Sequence, residues 1–581
     1  MQNSMVKKCI LKVIRTNIGL SALLFFTAFG MVISILIPPQ ILKYVIDYKF
    51  IPKNSDGLFK LAIAYMSVIL FIGVFDFIKE AVLTVLGQKI TKEIRSKMME
   101  KLEKMNSMFF STNETGMVVS RFTNDVDAIN SMFTSGIVGM MIDCLKIIGV
   151  VVSISIFSSK LGLITLMILP IIYTITRTFQ KRMLKAQIEN RILVGRVNNH
   201  ISESLKNMQM IKSYSKESYM EDIYTDYLIK NFRTFEKVNF YDSVFPPIIL
   251  IIRAVTIAII VILSSNQLDF LGISLGMVAA SIDLISSLFF PIEDIGMGFQ
   301  NIQQALSGIC RVNDFFNEPE DDNKDINLKV DDIALRREEV RISFNDVSFY
   351  YAEGIDILQD VSLLVNSQEK VAFVRRTGVG KSTLFKLIMG LLKPSNGSIT
   401  INGVDVYDIP NAEKRKIFGY VDQSFHMIKG TVAEQISLQD SSITKIQVEA
   451  ALDFVGLTDY IMTLENGYDT QVKNDNIFSQ GQKQLLAIAR AIVTNPPILL
   501  LDEITANLDS VTEEKIVSVL HKAGHAHTIL SISHRISSML ACDTVVILEN
   551  GRVKNVGSPE LLLQKDDWYR NHIELEKLTW D

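Results

Sequence analysis

The sequence has few cysteines, few charged residues and almost no net charge. Its cysteines, Cys9, Cys144, Cys310 and Cys542, lie far apart, which excludes a paired-cysteine zinc motif and a disulfide framework. The 59 Lys and Arg nearly balance the 63 Asp and Glu, so no basic field is available to hold nucleic acid. Charged residues make up 21% of the chain and hydrophobic residues 48%, which excludes a mainly disordered protein.

The length and the mean hydropathy indicate two halves of different character. The chain has 581 residues, which is more than one domain usually contains. Its mean hydropathy of +0.26 is high for a soluble enzyme and low for a bundle of membrane helices alone. All of the long apolar segments lie in the first half of the sequence.

Six of these apolar segments are long enough to cross a bilayer, which takes about 20 residues. We place them near Ile18–Ile37, Leu61–Ile78, Ile137–Phe157, Leu161–Thr176, Val244–Leu263 and Phe270–Phe290. Lys and Arg are concentrated before the first segment, between the second and third, and between the fourth and fifth. Because such residues favour the cytoplasmic side, we expect a multi-pass protein of the cell membrane with both termini in the cytoplasm. The Lys-, Ile- and Asn-rich composition favours a bacterial source.

An acidic stretch separates the membrane half from the rest of the chain. We assign residues 1–316 to a six-helix transmembrane domain, 317–337 to a linker and 338–581 to a second domain. In the second domain short β-rich runs alternate with helical stretches such as Gln482–Val493, which predicts a parallel sheet. These runs are Val340–Phe344, Lys370–Val374, Ile498–Leu501, Thr528–Ile532 and Thr544–Leu548.

A phosphate-binding loop follows the second of these runs. The segment TGVGKST, Thr377–Thr383, lies between an apolar strand and a helical stretch, which is the context that such a loop requires. Gly378 and Gly380 let backbone N–H groups turn towards phosphate oxygens, and the helix N-terminus adds a favourable dipole. Lys381 can reach the β- and γ-phosphates of ATP, and the Ser382 hydroxyl can bind Mg²⁺.

Two carboxylates at the end of an apolar strand supply the groups that hydrolysis needs. In ILLLDE, Asp502 can hold the Mg²⁺ shell, and Glu503 can orient and deprotonate the attacking water. A further helix N-terminus suited to anions begins in the segment FSQGQ, Phe478–Gln482. One phosphate loop does not need a second anion site in its own domain, so we expect this one to face the ATP of another copy.

These motifs, in this order, resemble the nucleotide-binding domain of ABC transporters. The segment TGMVVSRFTNDV, Thr115–Val126, is similar to the six-helix transmembrane domain of the exporter type, so the resemblance covers essentially the whole chain. The implied fold class is multidomain, an all-α six-helix transmembrane domain followed by an α/β P-loop ATPase domain. The implied cofactors are ATP and Mg²⁺. The implied partners are a second half-transporter, membrane lipid and an unidentified substrate of the drug, lipid or peptide class.

The resemblance also implies a role for each matching residue. Tyr351 is expected to stack on adenine, and Gln423 to touch Mg²⁺ and contact the membrane domain. His534 matches the switch histidine and Asp509 matches the D-loop. The signature that closes on the γ-phosphate of the other half is matched by Ser479, Gly481 and Gln482. The expected ATP-binding residues are Tyr351, Thr377, Gly378, Gly380, Lys381, Ser382, Thr383, Gln423, Ser479, Gly481, Gln482 and Asp509; the metal ligands are Ser382, Gln423 and Asp502; the catalytic residues are Glu503, His534 and Lys381.

Two departures from the family pattern keep a second interpretation open. Arg375 stands where the phosphate-loop motif has its first Gly, and the run QVKNDNIFSQ before the signature lacks the usual Glu and Gly. Our main interpretation is a half-size exporter that dimerises and couples ATP hydrolysis to export. The alternatives are a weakly hydrolysing ATP-binding subunit of a heterodimer and an importer on the same fold.

Two further features concern coupling and cargo. By analogy with the family, coupling helices are expected near Thr112–Val119 and Ser213–Glu221. Four charged residues lie within predicted spans, where such residues usually face a bundle interior or a wet cavity. They are Asp143, Lys146, Arg253 and Asp283. A role in the cargo path and a purely structural pairing are both open.

Overall fold

A computed structural model describes residues 4–266, 274–321, 340–351, 356–375, 381–423, 425–472, 477–504, 510–532 and 542–577. The chain divides into two compact units. The first contains Met1–Met105 and Thr112–Pro319, and the second contains Asn106–Ser111 and Glu320–Asp581. Most of the predicted linker lies outside the described residues, so the exact boundaries of the two domains stay a prediction.

The first unit is helical, and within its described residues six helical segments are long and apolar enough to cross a membrane. They are Ile18–Phe50, Leu58–Glu103, Thr115–Phe157, Ser159–Lys206, Glu217–Ile262 and Leu275–Asn317. The six predicted spans are therefore confirmed. The first, third and sixth segments are built from shorter helices, Ile18–Ile35, Ile37–Val45, Thr115–Ser120, Val126–Ser131, Gly139–Phe157, Leu275–Ser286 and Phe289–Asn317, the first and third also with π-helical turns. Helices Met5–Thr16 and Met208–Ser213 complete the unit.

The spanning helices are much longer than a bilayer is thick. At 1.5 Å per residue the second segment, Leu58–Glu103, is about 69 Å long, whereas the hydrocarbon core measures about 30 Å. The polar remainder of this segment continues as regular helix. Pro170 lies inside the helix Ser159–Lys206 without ending it, so the fourth span is longer than its apolar stretch suggested.

The four charged residues within the spans differ in their surroundings. Lys146 Nζ lies 2.9 Å from Asp143 Oδ1, and both side chains are largely buried. This pairing favours the structural interpretation for these two residues. Arg253 and Asp283 are exposed in the single chain, and a cargo role for them stays a prediction.

A partly buried ion pair joins the third and sixth spans. Arg311 donates to both carboxylate oxygens of Asp125, from Nε at 2.9 Å and from Nη2. The Asp125 side chain is only 7% exposed, whereas that of Arg311 is 50% exposed. The helices can approach closely here because Gly308 has no side chain. A Cβ at this position would lie 3.2 Å from the Asp125 backbone oxygen. A buried carboxylate is costly unless it is paired, so this contact fixes the approach of the two helices.

The second unit contains two principal sheets. Its strands are β1 (Ile342–Tyr350), β2 (Asp356–Val365), β3 (Lys370–Arg375), β4 (Asn396–Ile401), β5 (Val404–Asp405), β6 (Phe418–Val421), β7 (Gly430–Thr431), β8 (Gln471–Val472), β9 (Ile498–Asp502), β10 (Thr528–Ile532), β11 (Thr544–Glu549) and β12 (Arg552–Gly557). The larger sheet has the order β12-β11-β3-β10-β9-β6. Every pair of neighbouring strands in this sheet is parallel except the pair β11 and β12, which is antiparallel.

The predicted parallel sheet is confirmed for four of its five runs. The first run, Val340–Phe344, is an exception, because β1 belongs to an antiparallel sheet of order β2-β1-β4-β5. Including it among the parallel strands was wrong. The reason is physical: β1 and β2 are joined by a short connection, which suits an antiparallel pair, whereas parallel strands need a long crossover.

Helices pack around these sheets. The helices of the second unit are Ser107–Thr112, Lys381–Ile388, Asn411–Ile417, Val432–Ser437, Lys445–Phe454, Thr458–Met462, Gln480–Ile492, Ser510–Ala523, Pro559–Lys565 and Asp567–Lys577. Only the last residue of the first of these helices, Thr112, belongs to the first unit. The helix Lys381–Ile388 carries Phe385 and Ile388 into a buried cluster that contains residues of both principal sheets. This packing fixes the start of that helix beside the end of β3.

We predict that Arg311→Leu destabilises the transmembrane domain, because Asp125 would keep a buried charge without its cation. Loss of hydrogen bonds to a charged group costs about 1–3 kcal/mol, which a lower melting temperature of the purified protein would report. Lys230→Leu is the matched control, since Lys230 pairs with Asp226 on the surface, where such pairs contribute about 0.5 kcal/mol. Equal melting temperatures for the two variants would contradict the role of the pair.

Candidate active site

The candidate site lies where parallel strands of the larger sheet end. Strand β9 lies between β6 and β10, and the register pairs Val421 with Leu501 and Ile532 with Asp502. The carboxyl ends of the three strands therefore meet at one edge. Gln423 follows β6, and Glu503 follows β9. Strand β3, which leads into the predicted phosphate loop, is the next neighbour of β10 in the same sheet.

Asp502 is the last residue of a strand that is buried along its whole length. Asp502 itself is only 4% exposed. On the neighbouring strand, Tyr420 Oη donates to Asp422 Oδ1 at 3.3 Å. Burial raises the pKa of Tyr420 above its ordinary value, and the carboxylates of Asp422 and Asp502 raise it further. The phenol therefore stays protonated and acts as a donor beside these carboxylates.

Glu503 has a backbone conformation that is uncommon for a residue other than glycine. Its φ is +48°, and its N–H donates to the carbonyl oxygen of Ile532 at 3.0 Å. Non-glycine residues in this left-handed region often occur at functional sites. The turn brings Glu503 Oε2 to 2.8 Å from Gln423 Nε2, which donates to it. Two predicted site residues that are 80 positions apart in the sequence are thus in direct contact.

The signature helix Gln480–Ile492 supports this contact from behind. Gln484 is 1% exposed, and its Nε2 donates to the backbone oxygen of Gln423 at 2.9 Å. A chain of two hydrogen bonds therefore runs from the signature helix through Gln423 to Glu503. Sequence reasoning missed Gln484, although a signal existed: it is a polar residue on the apolar stripe that continues in Leu485 and Ile488.

Arg490, at the other end of the same helix, holds the segment that follows Gln423. Its Nη1 donates to the His426 oxygen at 3.2 Å, and its guanidinium lies 4.1 Å from the centre of the Phe425 ring. Its Nε donates to the Gln435 oxygen at 2.7 Å. Burial lowers the pKa of Arg490 to about 10, and the charge of Arg415 contributes, so the side chain remains a cation at neutral pH. This bracing residue was also not predicted.

The signature residues themselves form the start of their helix. Ser479 is the N-cap, and its Oγ accepts from the Gln482 N–H at 3.2 Å while Gln482 Oε1 accepts from the Ser479 N–H at 2.8 Å. This reciprocal capping box fixes the first turn. Gly481 is buried, and a Cβ there would lie 2.1 Å from Thr512 Cγ2, which explains the need for glycine. All three residues therefore have local structural roles beside the predicted one.

The predicted adenine-stacking residue is linked to the helix after the phosphate loop. Tyr351 Oη and Thr383 Oγ1 are 3.1 Å apart, and Thr383 is 6% exposed. The Tyr351 ring packs edge-on against Phe349, with 5.0 Å between the ring centres. The contact places Tyr351 beside the third residue of the helix Lys381–Ile388.

The remaining predicted residues cannot be compared in the same way. Thr377, Gly378, Gly380, Asp509 and His534 lie outside the described residues. Lys381 and Ser382 are the first two residues of the helix Lys381–Ile388. Their predicted roles stay predictions.

A short segment of the first half of the chain belongs to the second unit. Residues Asn106–Ser111 group with the ATPase domain, where Met108 packs on the buried cluster and Lys386 Nζ donates to Ser111 Oγ at 3.1 Å. The first predicted coupling helix, Thr112–Val119, begins directly after this segment. A coupling role for either segment stays a prediction.

The residues present fit a magnesium ion that arrives with a nucleotide. No group of three or more His, Cys, Asp or Glu side chains forms a closed cation site among the described residues. Mg²⁺ in ATPases is usually held by one or two protein groups and by phosphate oxygens, so such a closed site is not needed. The Asp502 carboxylate and the Gln423 amide at one sheet edge are donors of the right kind.

Comparisons with known proteins agree with this fold. A family model for the ABC transporter transmembrane region matches residues 20–292, and a family model described as ABC transporter matches residues 358–506. An ATP-dependent lipid A-core flippase of Syntrophus aciditrophicus (strain SB) is 26% identical over 92% of this chain and 88% of its own. The lactococcin-G-processing and transport ATP-binding protein LagD of Lactococcus lactis subsp. lactis is 29% identical over 94% of this chain and 76% of its own.

A solved structure shares this fold. A bacterial Atm1-family ABC exporter with ATP bound superposes with a TM-score of 0.76 at 24% identity, covering 99% of both chains. The fold and the site thus define a membrane protein with a fused ATP-hydrolysing domain. The chain belongs to the ABC transporters of the exporter type, with one transmembrane region and one ATPase domain in a single polypeptide.

We predict that Gln484→Met lowers the turnover number for ATP by about 3–10-fold, the equivalent of one hydrogen bond, because Gln423 loses its support from the signature helix. Methionine keeps the volume, and Gln484 Oε1 has no hydrogen-bond partner within the described structure, so the melting temperature should hold. Steady-state ATPase kinetics check this, with the exposed Gln471→Met as control. An unchanged turnover number, or a loss explained entirely by weaker ATP binding, would contradict it.

Proposed function

We propose that the protein is one half of an ATP-driven exporter of the cell membrane. The fusion of six spanning helices with an ATPase domain whose Gln423 and Glu503 meet at one sheet edge supports this most strongly. The relatives named above include a lipid A-core flippase and a lactococcin G transporter, so the substrate is left at the level of a drug, lipid or peptide. Those names also favour export over import.

The partner is a second half-transporter, either another copy of this chain or a homologue. Each chain has one phosphate loop and one signature helix, and a single ATP in its own loop leaves the signature helix N-terminus without an anion. Two halves would sandwich two ATP molecules, each between the loop of one half and the signature of the other. Closure would then turn the cavity outward, and hydrolysis would reset it. We further propose that both termini lie in the cytoplasm of a bacterial cell, as the distribution of Lys and Arg and the composition suggest.

Hydrolysis in this scheme rests on positioning and on one proton transfer. Glu503 accepts the proton of the water that attacks the γ-phosphate, and Gln423 orients its carboxylate through the contact at Oε2. Lys381 binds the β- and γ-phosphates, and His534, which follows β10 in the sequence, contacts the γ-phosphate. Ser382, Gln423 and Asp502 would hold Mg²⁺, which supplies charge neutralisation on the phosphates.

We predict that Glu503→Gln keeps ATP binding and loses about 10²–10⁴-fold of the hydrolysis rate, because an amide cannot take a proton from water. The amide oxygen can still accept from Gln423, so the fold should hold. The variant should accumulate as an ATP-bound dimer, which size-exclusion chromatography with labelled ATP would show. Glu514→Gln, an exposed change on the next helix, is the control. Near-normal phosphate release by Glu503→Gln would exclude Glu503 as the base.

The second candidate is a weakly hydrolysing subunit of a heterodimer. Arg375 favours this candidate. It is the last residue of β3 and stands where the phosphate-loop motif has a glycine, which permits a close approach of the backbone to the phosphates. Glu503 and His534 oppose it, since both catalytic positions are intact in the sequence.

We predict that Arg375→Gly raises ATP affinity or turnover, since it removes a long side chain from the entry to the phosphate loop. Nucleotide affinity and steady-state ATPase activity in lipid nanodiscs measure the effect, with Arg552→Gly on the exposed edge strand β12 as a control for loss of charge. If Arg375→Gly is equal or worse, the weak-subunit interpretation loses its main support.

A further inference from the structure

A cleft lies between the fourth and sixth spans, within the first unit. Its free volume is about 630 Å³, including the part open to solvent. The fourth span contributes Tyr173, Thr176, Arg177 and Lys181, and the sixth contributes Phe299 and Gln300 among others. The cleft begins beside the last apolar turn of the fourth span and continues into its first basic turns. It therefore crosses the boundary between apolar and polar surroundings.

Two hydrogen bonds align the helices that form the cleft. Gln180 Nε2 donates to the Glu293 oxygen at 3.2 Å, and Gln300 Nε2 donates to Gln187 Oε1 at 2.9 Å. Both bonds join residues the same distance apart in sequence, so the two helices run parallel and in register. Gly296 makes room for this alignment, because a Cβ there would lie 1.8 Å from the Gln180 amide. The wall of the cleft is thus a built feature.

The charges that line the cleft are all positive. Arg177 donates to Tyr173 Oη, and its guanidinium lies 5.7 Å from the centre of that ring. Neither Arg177 nor Lys181 pairs with a carboxylate within the described part of the chain. Glu293 and Asp294, the acidic residues nearest in sequence to the sixth-span wall, do not line the cleft. Asp294 interacts electrostatically with Asp143, Lys146 and Lys79 instead, and Glu293 with Asp294.

A buried hydroxyl group in the cleft also lacks a partner. Thr176 is 2% exposed, and its Oγ1 has no hydrogen bond within the described structure. Buried polar groups are nearly always satisfied, so an unsatisfied one in a cavity wall indicates a missing ligand or water. Its position one residue before Arg177 places it at the same level as the positive charge.

We infer that this cleft binds an amphipathic anion, with the anionic head at Arg177 and Lys181 and the apolar body beside Tyr173 and Phe299. Arginine and lysine bind phosphate, carboxylate and sulfonate oxygens through charge-assisted hydrogen bonds. The aromatic side chains supply apolar contact area. The ligand is either the headgroup of an anionic lipid or a water-soluble amphipathic anion. This inference rests on the proposed export function and gives its substrate a chemical class.

Direct binding to the full-length protein without ATP tests the site. In phosphatidylcholine nanodiscs, dodecyl phosphate below its micellar concentration should bind more tightly than dodecyltrimethylammonium. The double variant Arg177→Gln with Lys181→Gln should weaken dodecyl phosphate binding about tenfold or more, because the loss of even one charge-assisted contact has an effect of that size. The matched control, Arg182→Gln with Lys185→Gln, removes two exposed charges from the same helix outside the cleft and should have little effect. Thr176→Val, which keeps both charges and the volume, should weaken binding less.

The source of the anion is distinguished in a second arm. If a membrane lipid is the ligand, native mass spectrometry should find phosphatidylglycerol retained over phosphatidylcholine from mixed nanodiscs, and the cleft variant should lose that preference. If a soluble anion is the ligand, only dodecyl phosphate should show the effect. Equal binding of the anion and the cation, or equal losses in the cleft and control variants, would overturn the site. Because no ATP is present, that result would leave the proposed ATP-driven export untouched, which Glu503→Gln tests separately.

Discussion

The carboxyl edge of one parallel sheet is the constraint on which the chemistry of this protein depends. Strand β9 is buried on both faces and flanked by parallel partners, so Asp502 and Glu503 can only emerge at that edge. The left-handed turn at Glu503, held by the N–H bond to the Ile532 oxygen, brings its carboxylate to Gln423, which follows the neighbouring strand β6. The contact between Glu503 and Gln423 therefore follows from the order and register of strands β6, β9 and β10.

The signature helix connects this edge to the place where a second half is expected. Its first turn is the capped N-terminus at Ser479, and its buried face carries Gln484 and Arg490 against the segment that contains Gln423. One helix thus includes the predicted partner-facing end and also supports Gln423, which contacts the proposed catalytic carboxylate of Glu503. Movement of that helix on closure would be felt at Glu503 through two hydrogen bonds. Such a movement would link binding of the proposed partner to the readiness to hydrolyse.

Much of this organisation is readable from the sequence because it rests on local patterns. Apolar length predicts the six spans, and strand–loop–helix order predicts the ATPase fold and the positions of Asp502 and Glu503. Contacts between distant residues are not readable in that way. The Gln423–Glu503 bond, the Gln484 support and the Asp125–Arg311 pair depend on register and helix approach, which no local pattern encodes. The antiparallel pairing of β1 was missed for a different reason, because its partner β2, which follows it closely in the sequence, was not among the predicted strands.

The most direct test of the shared ATP site is a crosslink between chains. Thr377→Cys and Ser479→Cys are made in separate copies that lack the four native cysteines, co-expressed, and oxidised with and without ATP. A site shared by two copies predicts an ATP-dependent product of twice the mass of one chain, formed only when both variants are present. A single chain that carries both cysteines and crosslinks internally, at the mass of one chain, would contradict the shared site.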